Sequence, residues 1–270
     1  MKSSDDFYQL KEMPFNITGD PAVFYESQSH REALAALLYG IQQKKGLILI
    51  TGEVGTGKTT LCKALLDRLP GQVKTSLILN PYFSEVQLLQ AIVEDFGLQI
   101  SKKNRLGIVK ELNNFLVQVS LSGGNAVVII DEAQNLKESQ LEQVRLLSNL
   151  ETSREKLLQI VLSGQPELLE KLSRHNMRQV RQRIFVKHNI LPLQETEVRE
   201  YVRFRLSKAG TGGIKISPAS FDMIYSFSGG IPRLVNMLCE RALLLGYVKE
   251  TKTLDENIFK TCIEELTWGQ

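Results

Sequence analysis

The sequence predicts a three-layer α/β domain built on a parallel sheet, followed by a small all-helical domain from about residue 194. Three observations carry this. Apolar bursts of strand length stand at 47–51, 73–80, 126–131, 157–165 and 184–193. Helical patterns separate them, as in parallel sheets covered on both faces. After Pro192 the strand signal stops, and four helical stretches follow with no strand between them.

The chain has 270 residues, 43% of them hydrophobic, enough for one large domain or a core with a smaller appendage. Its 33 Lys+Arg and 30 Asp+Glu leave a formal charge of +3, so nucleic-acid binding would have to rest on a local patch. Cys62, Cys239 and Cys262 are far apart and odd in number. They suggest neither a disulfide framework nor a metal site, and suit a reducing compartment. The opening MKSSDDFYQL is acidic and lacks the apolar run of a secretory signal. The longest apolar runs, such as AVVII at 126–130, fall far short of the roughly 20 residues of a membrane span. The expectation is a soluble, cytoplasmic protein.

Residues 1–45 carry FYQLKEMPF and DPAVFYESQSHREALAALLYGI, an irregular segment leading into a helix. LILIT (47–51) is a continuous apolar strand, and TTLCKALLDRL after it is helical. VKTSLILN (73–80) precedes two helices, 84–96 and 108–121, the second ending at Gly123-Gly124. AVVIID (126–131) is backed by the helix ESQLEQVRLLSNL; LLQIVLSGQ (157–165) and IFVKHNILPL (184–193) complete the strands. In the last segment Ser217-Pro218 reads as an N-cap with proline in the first turn, and Gly229-Gly230 as a stop. The domains are expected at 1–193 and 194–270, with no internal repeats.

Between the first strand and helix stand Gly52, Glu53, Val54, Gly55, Thr56, Gly57, Lys58, Thr59 and Thr60. This is a complete G-x-x-x-x-G-K-[ST] loop in the strand–loop–helix context the motif requires. Its glycines let backbone N–H groups face phosphates, and the helix N-terminus adds partial positive charge. Lys58 is the candidate for the β- and γ-phosphates of ATP, and the Thr59 hydroxyl for Mg²⁺. AVVII delivers Asp131 and Glu132 to the carboxyl edge of the sheet, where nucleotide sites of open parallel sheets lie. Asp131 is the expected second Mg²⁺ residue; Glu132 can polarise an attacking water, which favours hydrolysis over phosphoryl transfer to a metabolite. Two more polar residues end apolar strands. Asn80 can hydrogen-bond Glu132 and restrain it, or serve as a plain turn residue. Gln165 can sense the γ-phosphate or position the water, with Ser163 as its rival, or cap the helix at Pro166.

HNMRQVRQRIF (175–185) gathers Arg178, Arg181, Arg183 and His175 just before the fifth strand. Such charge suits nucleic acid, a solvated helix, or a neighbouring subunit's active site.

GEVGTGKTT, IIDEAQNL, SGQPEL, RQRI and GGIPRLVN, in this order, resemble an AAA+ ATPase. More narrowly, FYQLKEMPF, DPAVFYESQSHREALAALLYGI and TGEVGTGKTTL resemble the ExeA/GspA-type ATPases of bacterial secretion and pilus systems, over about residues 7–265. The resemblance implies a P-loop NTPase fold with strand order 5-1-4-3-2, a helical lid, and ATP sites at the subunit boundaries of a homo-oligomer. It makes Arg233 of GGIPRL the lid arginine on the γ-phosphate, with Gly229 and Gly230 free to bend before it. It makes Arg183 the arginine lent to the next subunit, with Arg181 as the other candidate and Arg178 a brace. Phe24, Tyr25 and His30 become candidates for adenine contacts or simply core. Longer relatives continue into a transmembrane helix and a peptidoglycan-binding portion, so the sequence is expected to be a fragment of such a protein or a short member with a separate membrane partner at the inner face of the inner membrane.

The leading expectation is therefore an ATP-hydrolysing assembly motor or switch at a type II secretion or type IV pilus-like machine. The rival is a DNA-bound AAA+ regulator of the TnsC/TniB transposition kind, with SKKNRLG (101–107) and QQKKG (42–46) on DNA phosphates. A small-molecule kinase accounts for neither the helical lid nor Glu132.

Overall fold

The computed structural model describes residues 4–16, 21–100, 104–210 and 213–267. The first elements are α1 (Ser4–Tyr8), α2 (Gln28–Gln42), β1 (Leu47–Gly52), α3 (Lys58–Arg68), β2 (Val73–Ile78), α4 (Glu85–Asp95) and α5 (Arg105–Leu121). Next come β3 (Asn125–Ile130), α6 (Glu138–Leu147), β4 (Gln159–Gly164), α7 (Pro166–Ser173), α8 (Arg178–Arg181) and β5 (Ile184–Ile190). The chain closes with α9 (Glu195–Ala209), β6 (Lys215–Ile216), α10 (Pro218–Ser228), α11 (Pro232–Val248), β7 (Thr253–Leu254) and α12 (Glu256–Leu266). These group into two compact units. One comprises Gln28–Glu53 and Lys58–Ile190; the other comprises Met1–Ser27, Val54–Gly57 and Leu191–Gln270.

In the first unit, five parallel strands are ordered β2-β3-β4-β1-β5. This is the expected 5-1-4-3-2 order read from the other edge. β1, β3 and β4 lie inside the sheet and are buried along almost their whole length, which is why they read as unbroken apolar runs. Alternate side chains serve opposite faces. Leu47 and Leu49, Val128 and Ile130, and Ile160 and Leu162 join one core with Leu89, Leu112, Val144, Leu168 and Val180 from α4 to α8. On the other face, Gly40 of α2 lies so close to Ile48 and Val186 that an added Cβ would sit 2.6 Å from the Ile48 Cδ1. β5 is an edge strand on β1, with Phe185, Lys187 and Asn189 exposed. β2 and β4 end before their apolar bursts do, so Asn80 and Gln165 fall in the loops beyond them. α5 begins three residues before the expected 108 because Asn104 caps it, accepting from the Gly107 N–H at 2.8 Å.

The second unit has its own core, in which Tyr8 and Phe15 pack with Val202, Ile224, Leu238 and Phe259. Arg205 ties the front segment to α9 by donating to the carbonyls of Pro14 at 2.6 Å and Asn16 at 2.9 Å. Tyr8 does the same for α11 by donating to the Leu243 carbonyl at 2.8 Å. The expectation of an all-helical segment without strands is corrected here: β6 and β7 pair in parallel, Lys215 with Thr253 and Ile216 with Leu254. Each is only two residues long, too short for a period-two pattern to register in the sequence. Gly230 is likewise no free pivot. Its carbonyl accepts from the Leu193 N–H at 2.8 Å, and a Cβ at Gly230 would lie 2.0 Å from the Leu193 carbonyl oxygen.

Candidate functional site

β1 ends at Gly52 and α3 begins at Lys58, so the loop between them turns on Gly55 and Gly57, both at positive φ. The Lys58 ammonium is buried and donates to the carbonyls of Gly52 at 2.8 Å and Glu53 at 2.9 Å. Burial pushes its pKa down, against the opposing pull of Glu132, Asp131 and Glu53. Thr59 follows in the first turn of α3, with Thr60 half-buried beside it.

The end of β3 brings the acids to the first turn of α3. Asp131 is buried and accepts from two hydroxyls: Thr59 at 2.5 Å on Oδ2 and Ser163 at 2.7 Å on Oδ1. A buried carboxylate with two hydroxyl partners beside a lysine is a hard oxygen donor set, and it fits Mg²⁺. Ser163 thus belongs with Asp131.

Glu132 is partly exposed and has φ of 51°, a left-handed backbone that costs a non-glycine residue roughly 1–2 kcal/mol. Its Oε2 accepts from the side-chain amides of Gln134 and of Gln165, the latter at 3.1 Å. The expected Asn80–Glu132 bond does not form. Asn80 is exposed beyond β2 and makes no hydrogen bond with Glu132 among the described residues, because β2 ends at Ile78. Gln165 does stand at the N-cap position of α7, yet its side chain makes no cap bond and turns to Glu132 instead.

Gln134 is the functional candidate that the sequence reading missed. The only signal was the first amide of IIDEAQNL, two residues past Glu132.

Arg233 sits in the first turn of α11, in the unit that includes Val54–Gly57. Its N–H donates to the Gly55 carbonyl at 3.3 Å, and its side chain is exposed. Gly55 has φ of 82°, and a Cβ there would lie 2.6 Å from the Arg233 Cβ, so the site demands glycine.

Of the cationic stretch, Arg181 is spent structurally, donating to the carbonyls of Leu172 at 3.1 Å and Ser173 at 3.0 Å. Arg178 and Arg183 are exposed, and their side chains make no hydrogen bond or ion pair among the described residues. Tyr25 packs edge-on to Tyr201, tilts against Phe204, and donates to Glu200 at 2.7 Å. Phe24 is half-buried, and His30 is buried in α2. The basic QQKKG stretch is largely engaged: Lys44 pairs with Glu155 at 2.7 Å and Lys45 lies over the Phe185 ring. In SKKNRLG, residues 101–103 lie outside the described residues.

A phosphate loop, a buried hydroxyl–carboxylate pair and a five-stranded sheet of this order define a P-loop domain of the AAA+ type. Solved structures agree on the fold. The Aeropyrum pernix ORC2 protein aligns with a TM-score of 0.73 and 17% identity, covering 97% of this chain and 73% of its own. The Thermotoga maritima RuvB branch migration motor aligns at 0.60 and 17%, over 89% and 70%. Pyrobaculum aerophilum Cdc6p aligns at 0.67 and 16%, over 93% and 72%. Residues 41–172 match the AAA domain family. Over 244 residues, 90% of the chain, the sequence is 45% identical to general secretion pathway protein A of Aeromonas hydrophila. The chain thus carries an AAA domain and, over most of its length, is similar to general secretion pathway protein A. It spans 45% of that relative's length. Among the described residues, no helix is long and apolar enough to cross a membrane.

Proposed function

We propose that this chain hydrolyses ATP, assembles with further copies of itself when ATP binds, and serves a bacterial secretion or pilus-like machine at the inner membrane. The observation that carries the hydrolytic reading is the junction of Thr59, Asp131 and Ser163, one residue from the Glu132 carboxylate, whose Oε1 takes no hydrogen bond among the described residues. Service to a secretion machine is inferred from the relative's name alone.

Lys58 exchanges the carbonyls of Gly52 and Glu53 for the β- and γ-phosphates, supported by loop N–H groups from Gly52 to Thr60. Thr59 and Asp131 hold Mg²⁺, which when bound screens phosphate charge. Glu132 accepts the proton of the water that attacks the γ-phosphorus. Arg233 contacts the γ-phosphate from the helical unit, whose boundary we set near residue 194. Arg183 reaches the γ-phosphate of a neighbouring copy and neutralises charge in the transition state. Phe24, Tyr25 and His30 remain candidates for the adenine side.

The test is mass measurement in solution with ADP and with a non-hydrolysable ATP analogue, alongside phosphate release by wild type and Glu132→Gln. Assembly with the analogue only, and hydrolysis lost in Glu132→Gln, support the reading. A monomer hydrolysing at full rate, or an active Glu132→Gln, rejects it. Offering the same samples duplex DNA over a salt series separates this reading from that of a DNA-bound regulator.

A further inference from the structure

We propose, on the reading of Glu132 as the base, that Gln134 is a positioning residue that fixes the Glu132 carboxylate and ties it to the end of β4. The side-chain amide of Gln134 is used at both ends. Its Nε2 donates to Glu132 Oε2, and its Oε1 accepts from the Gln165 backbone N–H at 3.1 Å. The Gln165 side chain then returns to the same Glu132 oxygen at 3.1 Å. The result is a closed ring of three hydrogen bonds through Glu132, Gln134 and Gln165.

The ring has a direct chemical consequence. Two N–H donors on Oε2 leave Oε1 as the oxygen that can take a proton from water, and they set its direction. Glu132 needs such support because its backbone is left-handed and the next three residues form a single tight turn, Ala133–Asn135. Lys171 pins the far side of that turn by donating to the carbonyls of Gln134 and Leu136, each at 2.6 Å. Space is reserved for the ring as well. A Cβ on Gly164 would lie 3.0 Å from the Gln134 Oε1 and 3.3 Å from its backbone nitrogen. Since β4 also carries Ser163, which holds Asp131, one strand end governs both the metal-binding acid and the base.

The test is steady-state ATP hydrolysis by Gln134→Met in the wild-type and Glu132→Gln backgrounds, with ATP affinity and melting temperature measured on each protein. With Glu132 intact, kcat should fall by about 10–100-fold while ATP affinity stays within about twofold, a part of the roughly 10²–10⁴-fold that a positioned base contributes. In the Glu132→Gln background the same substitution should produce no further loss, because coupled residues are not additive. If Gln134→Met does not fold, Gln134→Glu carries the same expectation: it keeps the acceptor for the Gln165 N–H but cannot donate to Glu132. An unchanged kcat, or an equal loss in both backgrounds, overturns the positioning role. Inactive Glu132→Gln beside fully active Gln134→Met removes only that role; fully active Glu132→Gln removes the base assignment and this proposal together.

Discussion

The guanidinium of Arg181 donates to the Leu172 carbonyl at 3.1 Å, closing the C-terminal end of α7. A second bond, to the Ser173 carbonyl at 3.0 Å, completes the cap. Arg183, two residues on, is exposed and makes no such bond among the described residues. The two arginines therefore separate by phenotype. Arg181→Ala should cost about 1–2 kcal/mol of stability in urea denaturation, two charge-assisted bonds being lost at a partly exposed site. Arg183→Ala should melt like the wild type and lose only assembly-dependent hydrolysis.

Asp131 is buried between the Thr59 and Ser163 hydroxyls. Asp131→Asn should retain nucleotide binding in the absence of magnesium but lose the magnesium-dependent gain in affinity, with hydrolysis down by at least ~100-fold. Ser163→Ala, which leaves the carboxylate in place, should reduce hydrolysis much less. Titrating a fluorescent nucleotide with and without EDTA checks both.

Gly55→Ala should weaken ATP binding. The added methyl faces the Arg233 Cβ at 2.6 Å on a backbone with φ of 82°, so the phosphate loop must shift. A loss of roughly 1–2 kcal/mol in binding free energy is the expected scale. Isothermal titration with the non-hydrolysable analogue measures it.

Burial pushes the Cys62 thiol up to about 12, with Asp131 adding to the effect, and burial together with Glu265 raises Cys262 to about 11. Burial also raises Cys239. All three should resist iodoacetamide at pH 8 until the protein is unfolded. Because these folded values exceed the ordinary 9.0, the folded state holds its thiol protons more tightly. Their contribution to stability is complete below pH 9 and is lost as pH rises from 9 towards 12. For Cys62 alone the loss is about 1.4 kcal/mol per pH unit in that window. Melting temperature followed from pH 8 to 10.5 should fall accordingly, and Cys62→Ala should fall less steeply.

Most of the sheet was legible because β1, β3 and β4 are buried on both faces, and burial writes itself as apolar runs. The phosphate loop and Asp131-Glu132 were legible because their chemistry is local, with the side chains near one another in sequence or at a strand end. The partners of Glu132 were not. Whether Asn80 or Gln134 reaches it depends on where β2 stops and how the turn after Glu132 folds, and neither carries a periodic signal. Arg181 and Arg183 were equivalent as letters, and only the proximity of the α7 carbonyls tells them apart. β6 and β7 escaped notice because two residues define no period.

The central claim, that one copy completes the site of the next, is tested most directly by mixing two inactive variants. Lys58→Ala lacks its own phosphate site but still carries Arg183; Arg183→Ala has an intact site and lends nothing. Each should be silent alone. Mixed at concentrations where the wild type assembles, they should regain a substantial fraction of wild-type hydrolysis, rising with the share of Lys58→Ala before declining. A mixture that co-assembles by mass yet stays as silent as its parts would contradict the account.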